Sequence, residues 1–233
     1  MAACETGRNV EIKRAQTRVG HPRRDVADIV GHILHTTGDK DEAKILNYYV
    51  TSSEGVCPHY FVNYTGDVYQ FCDLDRVAYH AGYGKADLGD GQAELYAAGL
   101  DVWTRRINRA PWKLDEPSPI YDWWKTRWPG LASPLDLPFG DKPNRRSVGI
   151  ELQEPTDEMS DVTPDHFTDA QYARAAELVL SSRASLRMSA PLDARHVVGH
   201  SDVTPISRSD KRGGWDPGPR FNWARFLSLC GAT

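Results

Sequence analysis

The sequence predicts an α/β fold, with short apolar strands alternating with amphipathic helices. Three observations carry this. Ile29 to Thr36 is a short apolar run bounded by Gly38-Asp39, as a buried strand is. Apolar residues recur at helical spacing just after it, and again from about Thr168. Between them Tyr64-Thr65-Gly66-Asp67 separates two apolar stretches, the pattern of a β-hairpin turn.

Residues 1–28 are polar and charged with little periodicity and read as an arm packed on the domain. After the first strand, Asp39 is expected to cap a helix reaching about Ser52, with Ala43, Leu46, Tyr49 and Val50 on its apolar face and Gly55 ending it. His59 to Asn63 and Val68 to Phe71 form the hairpin. Ser147 to Gln153 is another strand, uncharged until Glu151. Thr168-Asp169-Ala170-Gln171 has the form of a capping box. The helix it opens runs to about Met188, with Tyr172, Ala176, Val179 and Leu180 as its apolar face. Arg195 to Gly199 reads as a short strand and Phe221 to Leu229 as a terminal helix. Residues 85–143 break the pattern, being rich in Pro and Gly and holding five of the seven tryptophans: Trp103, Trp112, Trp123, Trp124 and Trp128. This stretch reads as an insertion within a single domain of residues 1–233.

Bulk properties narrow the function. A chain of 233 residues with 40% hydrophobic residues can bury one substantial core. A net charge of -4 and a pI near 6.1 give no basic footprint, which argues against a nucleic-acid partner. No apolar run approaches the length of a bilayer span, so no transmembrane segment is expected. Met1 to Gly7 has neither a charged nor an apolar signal region, although Ala2-Ala3-Cys4 resembles the end of a lipoprotein signal. The first reading places the protein in the cytoplasm at synthesis; the second places it in the cell envelope. Cys4, Cys57, Cys72 and Cys230 show no metal-type spacing. Cys57 and Cys72 flank the hairpin, so a disulfide is conceivable, but buried free thiols are favoured in a cytoplasm.

The chemistry concentrates in four places. His35 closes the first strand; His32, three residues earlier, points to the opposite face. His200 opens Gly199-His200-Ser201-Asp202, and Asp216 precedes Pro217-Gly218-Pro219 in a turn that ends a loop. Two imidazoles and a carboxylate are the ligand set of an open catalytic zinc site. Glu151 lies in Ser147-Val148-Gly149-Ile150-Glu151-Leu152, where a carboxylate could take a proton from water activated by that metal. Each group has a plain structural reading as well: a hydrogen-bonded core His, an ordinary Asx-Pro turn, a solvent-facing Glu. His196 lies four residues before His200; were that segment helical, the two would form a metal-binding pair, but it reads as strand and His196 as structural. Cys57 and His59 share a strand face and raise a thiol peptidase as a minor alternative, which lacks an orienting Asn or Asp.

In combination these segments resemble the zinc-dependent N-acetylmuramoyl-L-alanine amidases of the type-2 amidase and peptidoglycan-recognition superfamily, over residues 29–82 and 144–229. The resemblance implies a central mixed β-sheet with helices on both faces. It selects His35 over His32, and implies His35, His200 and Asp216 as ligands of Zn2+ and Glu151 as general base. Asp202 is well placed to accept a ligand's second ring proton. Asn144 fits the family's Asn-x-x-Ser-x-Gly-x-Glu run, and His80 in Tyr79-His80-Ala81-Gly82 resembles its Trp-His-Ala-Gly; both are expected to bind or position substrate. His59 is expected to be structural.

Two departures stand out. The hairpin Tyr of some members corresponds here to Pro58, and the Lys two residues before the Asp ligand corresponds to Gly214. Lys211 or, preferably, Arg212 could fold back to hold the oxyanion. The implied function is hydrolysis of the amide between N-acetylmuramic acid and L-alanine in bacterial peptidoglycan or muropeptides. The alternatives are a recognition module that binds peptidoglycan without cutting it, or another zinc amidohydrolase acting on muropeptides. The tryptophans of the insertion either line a glycan groove or, the favoured reading, form a small core.

Overall fold

The computed structural model describes residues 11–81, 124–131, 134–140, 142–154, 167–204, 216–218 and 221–232. Six strands form one mixed sheet in the order β1-β4-β3-β5-β2-β6: β1 Ile12–Arg14, β2 Gly31–Thr36, β3 Tyr60–Val62, β4 Val68–Gln70, β5 Ser147–Leu152 and β6 Val197–Gly199. Only β3 and β4 pair antiparallel. Their turn is held by Asn63, whose Oδ1 accepts from the backbone of Thr65 and Asp67, while Gly66 takes a φ of 88° that a side chain would resist.

Side chains alternate between the two faces of the sheet. One face carries Leu34, Val62, Val148, Ile150, Leu152 and Val197 against two helices, α3 Asp169–Leu186 and α5 Trp223–Leu229. The expected capping box is present at Thr168 and Gln171, and α3 ends at Arg187 in the left-handed region (φ 51°). Of the four apolar residues expected on its buried face, Leu180 is exposed, while Ala175 and Leu178 are buried in addition to Tyr172, Ala176 and Val179. On this face too, His32 donates or accepts at Nε2 with Ser182 Oγ at 2.7 Å.

The opposite face carries Ile33, His35, Gly149, Glu151 and Val198, flanked by two clusters. On one side Ile45 and Tyr49 of α1 Glu42–Thr51 pack with Phe61, Cys57 and Phe71. The N-cap of α1 is Asp41, whose side chain accepts from Lys44 N, not Asp39; the helix starts two residues later than expected, which turns Ala43 to solvent. On the other side Trp124 and Trp128 pack with Ile33, Leu137, Phe139 and Val198. These two tryptophans of the insertion are buried core, in line with the structural reading of that segment; Trp103, Trp112 and Trp123 lie outside the described residues.

The arm is more than a covering. Its residues Ile12–Arg14 form the edge strand β1, and Arg24 is buried with its guanidinium donating to the carbonyls of Leu74, Asn144, Arg145 and Ser147. Charge hid this role from the sequence. A guanidinium is the one side chain with enough donors to satisfy so many carbonyls at the join of α2 Pro143–Arg146 and β5. No helix among the described residues is long and apolar enough to cross a membrane.

Candidate metal centre

Three parallel strands bring the site together by register. On β5 Glu151 is the pairing partner of His35 on β2, and on β6 Gly199 pairs with Leu34, so His35 and His200 are the next residues on each chain. All three lie at the carboxyl ends of their strands, the edge at which open α/β sheets place ligand sites. His200 is the first residue of α4 His200–Val203.

Asp216 joins them from a loop. Gly199 admits it: a Cβ there would lie 2.8 Å from Pro217 Cδ and 2.9 Å from Asp216 O. Ser201 fixes the backbone of Asp216, donating from N to Asp216 O (3.0 Å) and accepting from Asp216 N at Oγ (2.7 Å). Thr36 N donates to Oδ1 of Asp216 at 2.6 Å, which leaves Oδ2 facing the imidazoles. That oxygen lies 3.0 Å from Nδ1 of His200 and 3.3 Å from Nδ1 of His35. One ligand atom from each residue falls within 4.8 Å of the others, and all three residues are buried. Burial by itself would raise the carboxyl of Asp216, but His35 and His200 override it and hold the group well below the carboxylate range. Two nitrogens and one oxygen converging in a buried pocket, with a cavity beside them, fit a metal that keeps a coordination position open.

That cavity, about 180 Å³, is lined by His35, His80, Glu151, His200 and Asp216 together with Tyr49. Glu151 is buried on a central strand and not at an edge. Tyr49 is the residue sequence reasoning missed. Its side chain lines the cavity with Glu151, and burial, then the charges of Glu151 and Asp216, push its phenol well above its ordinary pKa, so it stays protonated. The available signal was a Tyr on a buried helix face, since a buried phenol needs a partner. Pro58, at the hairpin position where some amidases carry Tyr, lines the same cavity, so α1 supplies the phenol that the hairpin does not.

His80 and Asn144 also come together beside the site. Nδ1 of His80 lies 2.9 Å from Nε2 of His35, and Asn144 Oδ1 accepts from the backbone of His80 and Ala81. Burial, then the neighbouring His35, His59 and His200, push the imidazole of His80 well below its ordinary pKa, so it is neutral.

One expectation changes: Asp202 does not reach a ligand ring, and its carboxylate accepts from Gly199 N and Trp128 Nε1 and pairs with Arg127, tying β6 to the insertion. Cys57 contacts His21, and burial pushes its thiol up to about 12, which removes the minor thiol-peptidase alternative. Cys57 and Cys72 are free buried thiols, as favoured from the sequence. As expected, His196 is outside the site, bonded to Asp193, and His59 is structural, its Nδ1 accepting from Gly149 N. Lys211 and Arg212 lie outside the described residues.

Fold and site together define an α/β protein in which two histidines and one aspartate, grouped so that they could hold a metal ion, sit at the carboxyl ends of the strands of a mixed sheet. Residues 23–219 match the family model described as N-acetylmuramoyl-L-alanine amidase. The chain belongs to that family. Among curated relatives, it is 37% identical over 86 residues to the 1,6-anhydro-N-acetylmuramyl-L-alanine amidase AmpD of Enterobacter cloacae, a match covering 37% of each chain. The same enzyme of Citrobacter freundii is 36% identical over 86 residues, again 37% of each. The matched segment thus spans little more than a third of these relatives. A solved selenomethionine derivative of AmpD shares the fold with a TM-score of 0.56 at 19% identity, covering 97% of this chain and 96% of that one. PlyL does so with a TM-score of 0.51 at 15% identity, covering 94% and 96%.

Proposed function

We propose that this protein is a zinc-dependent amidase that hydrolyses the bond between the lactyl carbonyl of N-acetylmuramic acid and the nitrogen of L-alanine, in peptidoglycan or muropeptides. The observation that carries this is the convergence of His35, His200 and Asp216 with Glu151 beside them in one buried cavity. A zinc ion held by these three side chains supplies Lewis acidity, polarising the carbonyl and lowering the pKa of water.

The chain's own groups do the rest. Glu151 accepts a proton as water adds to the carbonyl carbon, then returns it to the alanine nitrogen as the C–N bond breaks. The products are a lactyl carboxylate on the glycan and a stem peptide with a free amine. Tyr49, a protonated phenol lining the same cavity, is placed to donate to the carboxylate of Glu151. Lys211 or Arg212, from the loop before Asp216, is the basic group proposed to face the oxyanion. His80 lines the cavity proposed to receive the muramoyl end, and Asn144 supports it by accepting from its backbone N–H.

The printed name of AmpD specifies a 1,6-anhydro-muropeptide, which makes soluble fragments the first substrate to try beside intact wall. The test is mass spectrometry of both substrates digested with zinc-loaded protein, next to Glu151→Ala and a chelated sample. Release of stem peptides beginning with L-Ala, abolished in both controls, is the expected result. Pelleting on cell wall without release would overturn the catalytic reading in favour of a binding module.

A further inference from the structure

The string Asn144-x-x-Ser147-x-Gly149-x-Glu151 surrounds a single side chain, His80. Asn144 Oδ1 accepts from the backbone N–H of His80 at 3.0 Å and of Ala81 at 2.7 Å. Two N–H donors require the amide oxygen there, so the orientation of Asn144 is unambiguous. Gly149 lies beneath the ring: a Cβ at this position would be 2.4 Å from His80 Cγ, so any side chain would displace the imidazole. Ser147, Gly149 and Glu151 alternate onto the same face of β5.

The hydrogen bonds have one consistent direction. Ser147 Oγ lies 2.6 Å from the carbonyl of Pro143, which can only accept, so the hydroxyl proton is committed there. Ser147 must then accept from Nε2–H of His80, at 3.3 Å. With its proton on Nε2, His80 has a bare Nδ1, which accepts from Nε2–H of His35 at 2.9 Å. His35 is left with a bare Nδ1 facing Oδ2 of Asp216 at 3.3 Å, where Nδ1 of His200 also points. A lone pair against a carboxylate oxygen is repulsive unless a cation sits between them.

We propose that His80 is a positioning residue of the metal centre, cradled by Asn144, Ser147 and Gly149, and that it fixes the tautomer of His35 so that Nδ1 is presented to the metal. The inference rests on the metal-site reading above and assigns His80 and Asn144 a task other than substrate contact. Metal-bound imidazoles generally donate their second ring proton to such a partner, and losing it weakens metal binding about 10–100-fold.

Two measurements test it. The first is zinc affinity by chelator competition. His80→Ala is expected to weaken binding by about 10–100-fold. His80→Asn, whose amide oxygen stands near the position of Nδ1, is expected to restore most of the affinity. An affinity unchanged in His80→Ala, or no better in His80→Asn, would overturn the proposal. The second needs no variant: histidine ¹⁵N shifts in the wild-type protein. His80 is expected as the neutral Nε2–H tautomer with and without zinc, and a proton on its Nδ1 would overturn the cradle. Because the His80 signature does not require zinc, it separates failure of the cradle from failure of the metal reading, which a protein that binds no zinc at all would reveal.

Discussion

The side chains of Tyr49 and Glu151 line one cavity beside His35, His200 and Asp216, bringing helix α1 to the central strand. Removing only the hydroxyl tests what the phenol contributes. Tyr49→Phe is expected to lower kcat roughly tenfold, below the roughly 10²–10⁴ expected for Glu151→Gln, in keeping with a helper and a general base. Steady-state kinetics with zinc content measured in parallel checks this, since both variants should retain the metal.

Metal removal should act on stability as well as activity. His35, His200 and Asp216 converge only in the folded chain, so a zinc ion held by them would favour the native state over the unfolded one. Zinc at a hundred times its Kd is expected to stabilise by about 2.7 kcal/mol. Calorimetry before and after chelation should show Tm fall and then recover on adding zinc back. His200→Ala and Asp216→Ala should show no such response.

Asp202 holds the insertion to the sheet. It is wholly buried, accepts from Trp128 Nε1 at 2.8 Å, and pairs with Arg127 at 2.9 Å. Asp202→Ala removes this buried ion pair with Arg127 together with the acceptor for Trp128 Nε1. A loss on the order of 3 kcal/mol is expected. Urea titration of the variant measures it, and a loss below half that size would count against a structural anchor.

His32 predicts an acid limb in stability. Burial, then the charges of Arg183 and Arg24, push its imidazole down to about 3, against 6.5 in an unperturbed chain. Between those values the unfolded state holds one more proton than the native state, so stability is full above about pH 6.5 and declines as pH falls toward about 3. His32→Leu removes that term. Comparing urea midpoints at about pH 7 and about pH 5 should show a smaller loss in the variant than in the wild type.

Burial pushes the thiols of Cys57, Cys72 and Cys230 up to about 12, so little thiolate forms at neutral pH. All three are expected to resist alkylation in the native protein and to react in denaturant, as site-resolved mass spectrometry would show.

The residues of the metal centre were legible because the chemistry needs particular side chains in particular strings. Gly199-His200-Ser201-Asp202 illustrates both the reach of that reading and its limit. Gly199 lets Asp216 and Pro217 approach closely, and His200 meets His35 and Asp216. Asp202 turns instead to Trp128 and Arg127, because its orientation is set by what packs against β6 and not by its neighbours in the chain. Arg24 and the edge strand Ile12–Arg14 were hidden for a related reason: polar residues carry no periodicity, and their burial depends on carbonyls supplied from distant segments.

By itself, the sequence determined most of the elements, the edge strand β1 apart, and the candidate side chains for the chemistry, Tyr49 apart, since apolar periodicity, capping and turn residues act over a few neighbours. The α3 capping box, the Gly66 turn and the buried strands β2 and β5 follow from such local rules. Tertiary structure alone decided the pairing register that sets Glu151 beside His35, the choice of Tyr49 as the phenol in the cavity, and the closing of Asn144, Ser147 and Gly149 around His80. Those relationships join residues up to 181 positions apart, as His35 and Asp216 are, and they exist only once a shared core fixes the strands in register.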